Sequence, residues 1–358
     1  MRVVVDASGL GEGEARRGIG TYVRQLLRGL DDADGVDLVA LAPRKAVLPE
    51  GVARQDVRRL AHHRVKGAAR DLTLPGELAR AHADVAHSPG FAAPRRVNVP
   101  WVQTLHDVTP LAFVHPYLAR EGARLRAAAP RLRRATAVIV PSRSTADQAV
   151  RLLGLDPARI TVVHHGVAPE MCPGPRTPDV EPFLLVVCSW GPHKGTADAI
   201  GVLDAIAPRG LPHRLRIVGP QHPWQRARLD EEVARSPHRD RVDIMDFVPD
   251  LVQAYRDADA VLCTSRAEGF GYPALEAMAC GTPVVAYDNT SLPEVVGTSG
   301  LLAPDGDVVA FADLLDTVLT TPTLRSEQRE RGLTQAATFD PQASTAGHIA
   351  VYRAAVTG

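Results

Sequence analysis

Two glutamates with seven residues between them, Glu268 and Glu276, frame the segment Ser265-Arg-Ala-Glu-Gly-Phe-Gly-Tyr-Pro-Ala-Leu-Glu276. The segment follows an apolar run ending at Cys263 and reads as the opening of a helix. Pro273 suits a first helical turn, where its missing N–H removes nothing needed. Gly269 and Gly271 let backbone amides approach a ligand, and the helix start adds unpaired N–H groups and a positive dipole end. That combination favours an anion such as a diphosphate. Carboxylates repel phosphate but accept hydrogen bonds from hydroxyls. A phosphate flanked by hydroxyl-rich groups, as in a nucleotide sugar, would satisfy the amides and both glutamates. The competing structural reading makes Glu276 a complement to the helix dipole and Glu268 a solvated loop residue.

Lys194, in Ser189-Trp-Gly-Pro-His-Lys-Gly195, follows another apolar run, and its ammonium can reach phosphate oxygens as a point charge. Ser291 with Glu294 three residues on has the form of a capping box, with Pro293 in the first turn. Arg17-Gly-Ile-Gly-Thr-Tyr22 precedes an amphipathic helix through Leu26, Leu27 and Leu30. As a nicotinamide fingerprint, Gly18-x-Gly20 fails, because Val23 stands where a third small residue belongs and more than ten residues part it from the strand before. His106-Asp107 ends an apolar run, but a Ser-His-Asp hydrolase is disfavoured because no Gly-x-Ser-x-Gly elbow exists and adjacent residues of one strand do not face each other.

The elements that position these residues read as α/β. The chain has 358 residues, 45% hydrophobic and 23% charged, enough for two cored domains at roughly 150 residues each. Forty-one basic residues balance 41 acidic ones, so no global field attracts nucleic acid. Only Lys45, Lys66 and Lys194 are lysines, so the other basic residues are all arginines. The cysteines Cys172, Cys188, Cys263 and Cys280 are too scattered for a metal or redox pair and read as buried, reduced thiols. No window approaches the roughly 20 apolar residues of a membrane span. With no secretory h-region either, the expected location is the cytoplasm, with membrane contact at most peripheral.

Apolar runs at Val3–Val5, Val36–Leu41, Asp84–His87, Trp101–Leu105, Ala137–Val140 and Ile160–Val163 read as buried strands of a mostly parallel sheet. After a proline-rich connector the pattern restarts at Phe183–Val187, Leu215–Val218, Val242–Ile244, Ala260–Cys263, Pro283–Ala286 and Leu301–Ala303. The expected organisation is a first doubly wound, Rossmann-like domain over residues 1–168, a linker over 169–182, a second such domain over 183–340, and a C-terminal helix over 341–358 that packs back on the first. Strand carboxyl ends of both domains would then face one cleft. His62-His-Arg64, Arg120 and Arg131 to Arg134 make the first domain locally basic, which suits solvated helix faces better than an anionic lipid surface.

Glu268-Gly-Phe-Gly-Tyr-Pro-Ala-Leu-Glu276, continuing through Ala277-Met-Ala-Cys-Gly-Thr-Pro, resembles the Glu-x7-Glu signature of retaining glycosyltransferases with the GT-B fold, family 4. The resemblance covers nearly the whole chain. It implies that Glu268 lies against the donor sugar, that Glu276 holds the ribose, and that Phe270 and Gly271 offer backbone N–H groups to the sugar. It also implies that Thr290, Ser291 and Leu292 turn main-chain amides toward the diphosphate, and that Phe247-Val248 contacts the nucleotide base. Gly18 and Gly20 match the family's glycine-rich loop beside the donor phosphate or acceptor. His106 matches a histidine that contacts the transferred sugar, while Ser142 and His165-Gly166 match a serine and an asparagine-glycine position.

One departure concerns charge. Similar loops carry an arginine five or six positions before the lysine, where this chain has Ser189 and Cys188, leaving His193 or Trp190 as candidate replacements. The resemblance implies transfer of a hexose from a nucleoside diphosphate donor to a hydroxyl acceptor, which is a glycan, a lipid-linked group or a small molecule. His106, Lys194 and Glu268 form the catalytic set. The pairing of Arg-Gly-Ile-Gly with His106-Asp107-Val-Thr-Pro110 looks most like the mannosyltransferase branch and GDP-mannose, with UDP-glucose or another UDP-hexose as alternative. An epimerase of the same fold and a non-catalytic nucleotide-sugar binder are the rivals. No cofactor is expected, and Lys194 with helix dipoles would take the place of a metal.

Overall fold

The computed structural model describes residues 1–11, 18–56, 66–90 and 93–358. Arg17 and the His62–Arg64 cluster lie outside the described residues. Continuous runs of β-branched and aliphatic residues, buried on both faces, make two all-parallel sheets, as such runs must when helices cover each side. The first holds β1 (Arg2–Asp6), β2 (Asp37–Ala42), β3 (Arg54–Asp56), β4 (Val85–Ser88), β5 (Trp101–Thr104), β6 (Ala137–Val140) and β7 (Ile160–Val162), in the order β3-β2-β1-β4-β5-β6-β7. The second holds β8 (Phe183–Val187), β9 (Arg214–Val218), β10 (Val242–Met245), β11 (Ala260–Cys263), β12 (Val284–Asp288) and β13 (Leu301–Pro304), in the order β10-β9-β8-β11-β12-β13. Both are doubly wound, Rossmann-like arrangements. The strand not expected from sequence is β3: it has three polar residues at a sheet edge, two of them exposed, so no apolar run announces it.

The chain divides into one unit of residues 1–112, 118–166 and 340–358 and another of 113–117 and 167–339. In the first, helix Pro341–Thr357 packs against helix Gly18–Asp31. Asp340 caps it, accepting from the amides of Gln342 and Ala343. Gly29 permits this close approach, and Gly347 permits a second one, to Val163 beyond β7. A Cβ at Gly29 would strike the Thr345 hydroxyl, and one at Gly347 would lie 3.0 Å from Val163.

In the second unit, Phe183 and Leu185 face one apolar cluster while Leu184 and Val186 face the other. The proline-rich connector is pinned to this unit: Arg176 donates to Asp259 at 2.9 Å, and the Thr177 amide and hydroxyl both reach Asp257 at 2.7 Å. Phe113–Tyr117 also belongs here, with Tyr117 edge-on to Trp190 and tilted against Trp224.

All four cysteines are free, but Cys172 is exposed, against the expectation of burial. It sits on the connector, where its carbonyl accepts from Arg256. Arg131 and Arg133 are spent on the carbonyls of Ala93 and Leu153, a structural use of two of the clustered arginines. Among the described residues, no helix is long and apolar enough to cross a membrane.

Candidate active site

Apart from Glu276, which lies further along a helix, the candidate residues of the second unit lie on loops or helix starts after the carboxyl ends of parallel strands, where open α/β sheets bind ligands. Lys194 follows β8, Phe247 and Val248 follow β10, Glu268 to Gly271 follow β11, and Thr290 to Leu292 follow β12.

The loops after β8 and β11 are locked together. The Arg266 amide donates to the His193 carbonyl at 2.8 Å, and Thr264 Oγ1 lies 3.4 Å from the Lys194 carbonyl. Gly195 makes this approach possible. Its φ is +62°, and a Cβ there would collide with the Thr264 carbonyl oxygen.

In this frame Lys194 Nζ donates to Glu268 Oε1 at 2.7 Å, with the two side chains 25% and 17% exposed. Ser265 Oγ donates to the same oxygen at 2.8 Å. Burial works to raise the Glu268 pKa, but the Lys194 charge and the two hydrogen bonds together hold it below the usual carboxylate value. Glu268 is therefore a tethered carboxylate and not a solvated loop residue.

The β12 loop closes around the same segment. Thr290 Oγ1 accepts from the Glu268 amide at 3.0 Å, and Thr290 itself has a left-handed φ of +43°. Ser291 Oγ donates to the carbonyls of Glu268 at 3.1 Å and Phe270 at 2.8 Å. The capping-box expectation fails here: Ser291 makes no side-chain cap, because its hydroxyl is turned toward the neighbouring loop. Leu292 also differs from expectation. Its amide donates to the Asn289 carbonyl at 3.1 Å, closing the turn instead of pointing outward.

Gly271 caps helix Tyr272–Cys280 with φ +109°, a conformation that favours glycine. A Cβ there would meet Leu292 at 3.0 Å. The Phe270 ring is buried edge-on to Tyr272 and Phe339, so only its backbone is available for ligand contact.

Glu276 lies beyond the first turn of this helix, which removes the dipole-complement reading. Tyr255 Oη donates to Glu276 Oε2 at 2.7 Å. Burial outweighs that bond and raises the Glu276 pKa to about 7. Phe247 is 75% exposed, whereas Val248 packs against the core.

Neither candidate for the missing arginine carries charge. Burial, and then the Lys194 charge, lowers the His193 pKa to about 4, leaving it neutral at pH 7. The Trp190 indole N–H is committed to Glu232 at 2.9 Å. Ser189 Oγ donates to the Pro220 carbonyl, and burial pushes the Cys188 thiol up to about 12.

In the first unit, Gly18 and Gly20 open helix Gly18–Asp31, the first exposed and the second buried. His106, past β5, is 8% exposed and donates from Nε2 to the Pro89 carbonyl at 2.6 Å. Burial lowers its pKa to about 4. Asp107 Oδ1 accepts from the Thr109 amide at 3.0 Å in an Asx turn. Ser142 caps helix Arg143–Leu153. His165 is buried against Tyr22 and His106.

The residues that sequence reasoning missed are Ser265, Tyr255 and Gly195. Gly195 carried a signal, a glycine between a strand and a helix. Tyr255 carried none, being 21 residues from Glu276 on another helix. Among the described residues, no group of three or more His, Cys, Asp or Glu side chains is placed to hold a metal ion.

Comparison with known proteins gives the class. Residues 181–321 match the family description "Glycosyl transferases group 1", and residues 16–171 match "Glycosyltransferase Family 4". A D-inositol 3-phosphate glycosyltransferase of Actinosynnema mirum is 32% identical over 302 residues, covering 76% of this chain and 72% of its own. O-antigen chain mannosyltransferase B of Escherichia coli is 28% identical over 284 residues, covering 75% and 74%. The crystal structure of Anabaena HepE in complex with UDP and glucose superposes with a TM-score of 0.78 at 19% identity, covering 98% of each chain. Two parallel-sheet units with these matches define a glycosyltransferase of the GT-B type. The chain belongs to glycosyltransferase family 4.

Proposed function

We propose that the protein transfers a hexose, with retention of configuration, from a nucleoside diphosphate sugar to a hydroxyl acceptor. The observation that carries this reading is the Lys194–Glu268 pair at 2.7 Å, set beside the glycine-capped start of helix Tyr272–Cys280. An ammonium has three donors, so Lys194 can hold Glu268 and a phosphate oxygen together. Glu268, kept ionised, accepts from a sugar hydroxyl, and Glu276 accepts from the ribose. As the glycosidic bond breaks, charge grows on the leaving phosphate, where Lys194 and the helix-end amides stabilise it. With no arginine in the β8 loop, Lys194 carries more of that work. In a same-face substitution the departing phosphate takes the acceptor proton. His106 lies against the transferred sugar, and the acceptor is a glycan, a lipid-linked group or a small molecule.

GDP-mannose is the favoured donor, supported by the similarity to the O-antigen mannosyltransferase and by the Arg-Gly-Ile-Gly and His106-Asp107 motifs. A UDP-hexose is the second reading, favoured by the structural likeness to a protein crystallised with UDP and glucose. Calorimetric titration with GDP and UDP, followed by NMR of the product from GDP-mannose and UDP-glucose with simple alcohol acceptors, tests both. Tighter GDP binding and a retained anomeric centre are expected. Tighter UDP binding reverses the donor choice, and an inverted anomer overturns the same-face substitution.

A further inference from the structure

Beneath His106, the first unit contains a buried line of side chains that transfer chemistry does not require. Tyr352 Oη meets His87 Nδ1 at 2.7 Å, and His87 Nε2 meets Thr104 Oγ1 at 2.8 Å. Thr104 Oγ1 meets Tyr22 Oη at 2.8 Å, Tyr22 Oη meets His348 Nε2 at 2.8 Å, and His348 Nδ1 meets the Ser344 carbonyl at 2.7 Å. The carbonyl end fixes the direction of every link. A carbonyl only accepts, so His348 carries its proton on Nδ1, and its Nε2 must accept from Tyr22. Tyr22, having donated, accepts from Thr104. Thr104 in turn accepts from His87 Nε2–H, and His87 Nδ1 accepts from Tyr352. One assignment satisfies all five contacts.

Tyr22 also touches the two site histidines. Its ring is edge-on to His106, with centroids 4.8 Å apart and planes at 83°, and lies 4.6 Å from His165. His106 is thus held at one nitrogen by the Pro89 carbonyl and across its ring by Tyr22. The Tyr22 ring is buried, and its hydroxyl has one partner on β5 and one on the C-terminal helix.

We propose that Tyr22 is a positioning residue for His106, and that His348 of the C-terminal helix, by accepting the Tyr22 hydroxyl proton, sets that position. The functional consequence rests on the sugar-contacting role proposed for His106. It makes residues 340–358 part of the machinery that aligns the sugar.

The test uses the full chain, with three substitutions followed by long-range imidazole ¹⁵N NMR, thermal melting and release of GDP or UDP from GDP-mannose or UDP-glucose. In the wild type, the His106 signals should report a proton on Nε2. Tyr22→Phe keeps the ring and removes both bonds, and His348→Leu removes the acceptor. Each should shift or split the His106 signals, with kcat reduced about 10-fold while the donor KM changes less than about twofold. His348→Gln retains an acceptor and should restore both readouts to within about threefold. Unchanged His106 signals in Tyr22→Phe and His348→Leu would overturn the positioning. Shifted signals with undiminished kcat would sustain the positioning and overturn the sugar-contacting role of His106. If His348→Leu fails to fold, Tyr22→Phe decides alone, since it preserves the packing volume.

Discussion

Lys194 Nζ and Glu268 Oε1 are 2.7 Å apart although 74 residues separate them in the chain. Removing the cation leaves a largely buried carboxylate whose Oε1 still accepts from Ser265 at 2.8 Å. Lys194→Met should therefore destabilise the second unit by roughly 2–3 kcal/mol in urea unfolding, toward the low end for a broken buried pair because both groups retain some exposure. On the proposed reaction, in which Lys194 stabilises charge on the leaving phosphate, it should also lower kcat by about 10²-fold or more. The Lys194→Met/Glu268→Gln double variant should lose less stability than the two single losses together. Strict additivity would mean the pair is not coupled.

Glu276 offers a pH test. Its folded pKa is raised to about 7 from 4.5 by burial, so the folded chain binds a proton that the unfolded chain has released between those values. Its contribution to stability therefore falls as pH rises from 4.5 through 7. Glu276→Gln, which removes the buried charge, should melt higher than wild type at pH 8 and match it at pH 5. Donor binding should weaken in the same variant, because one acceptor for ribose hydroxyls becomes a donor. A lower melting temperature at pH 8 would contradict the burial argument.

Gly195 is a close-approach position. Gly195→Ala combines a left-handed backbone with a collision at the Thr264 carbonyl, so the loops carrying Lys194 and Glu268 must separate. A loss of about 2 kcal/mol or more in unfolding is expected, together with loss of nucleotide binding by calorimetry. Full binding in this variant would show that the two loops need not be locked.

The buried histidines give the first unit an acid limit. Burial holds His87, His106, His165 and His348 below the ordinary 6.5, the second and fourth at about 4. The unfolded chain therefore takes up protons first, and stability falls as pH drops below 6.5 until the folded values are reached. Each group can contribute up to about 1.4 kcal/mol per pH unit. Glu276 belongs to the second unit and does not enter this balance, so a slope approaching four protons is expected for the first unit between pH 6 and 5. Urea midpoints across that range measure it, and a flat profile would contradict the burial of the imidazoles.

The alternation of apolar runs and helical stretches is enough to place twelve of the thirteen strands among the described residues within a residue or two, because a strand buried on both faces must be apolar throughout. The edge strand Arg54–Asp56 escaped for the converse reason: its backbone pairs with β2 while its side chains stay polar. The Glu-x7-Glu segment was legible because its glycines and Pro273 act through local backbone geometry, whereas Lys194 and Tyr255, the partners of its two carboxylates, are distant in the chain. The role of Ser291 was misread for the opposite reason. Local pattern suggested a cap, but the hydroxyl found its acceptors on residues 268 and 270, more than twenty positions away.

The sequence by itself thus determined the two parallel sheets, the Glu-x7-Glu segment and the family. Only the tertiary structure decided which charges are paired and which are not. It joined Lys194 to Glu268, gave Tyr255 to Glu276, left His193 neutral, and ran a hydrogen-bonded line from Tyr352 to Ser344 through residues as distant as Tyr22 and His348. The physical reason is that backbone preference acts over a few neighbouring residues, whereas burial and hydrogen-bond partnership depend on which distant segments the packed sheets bring together.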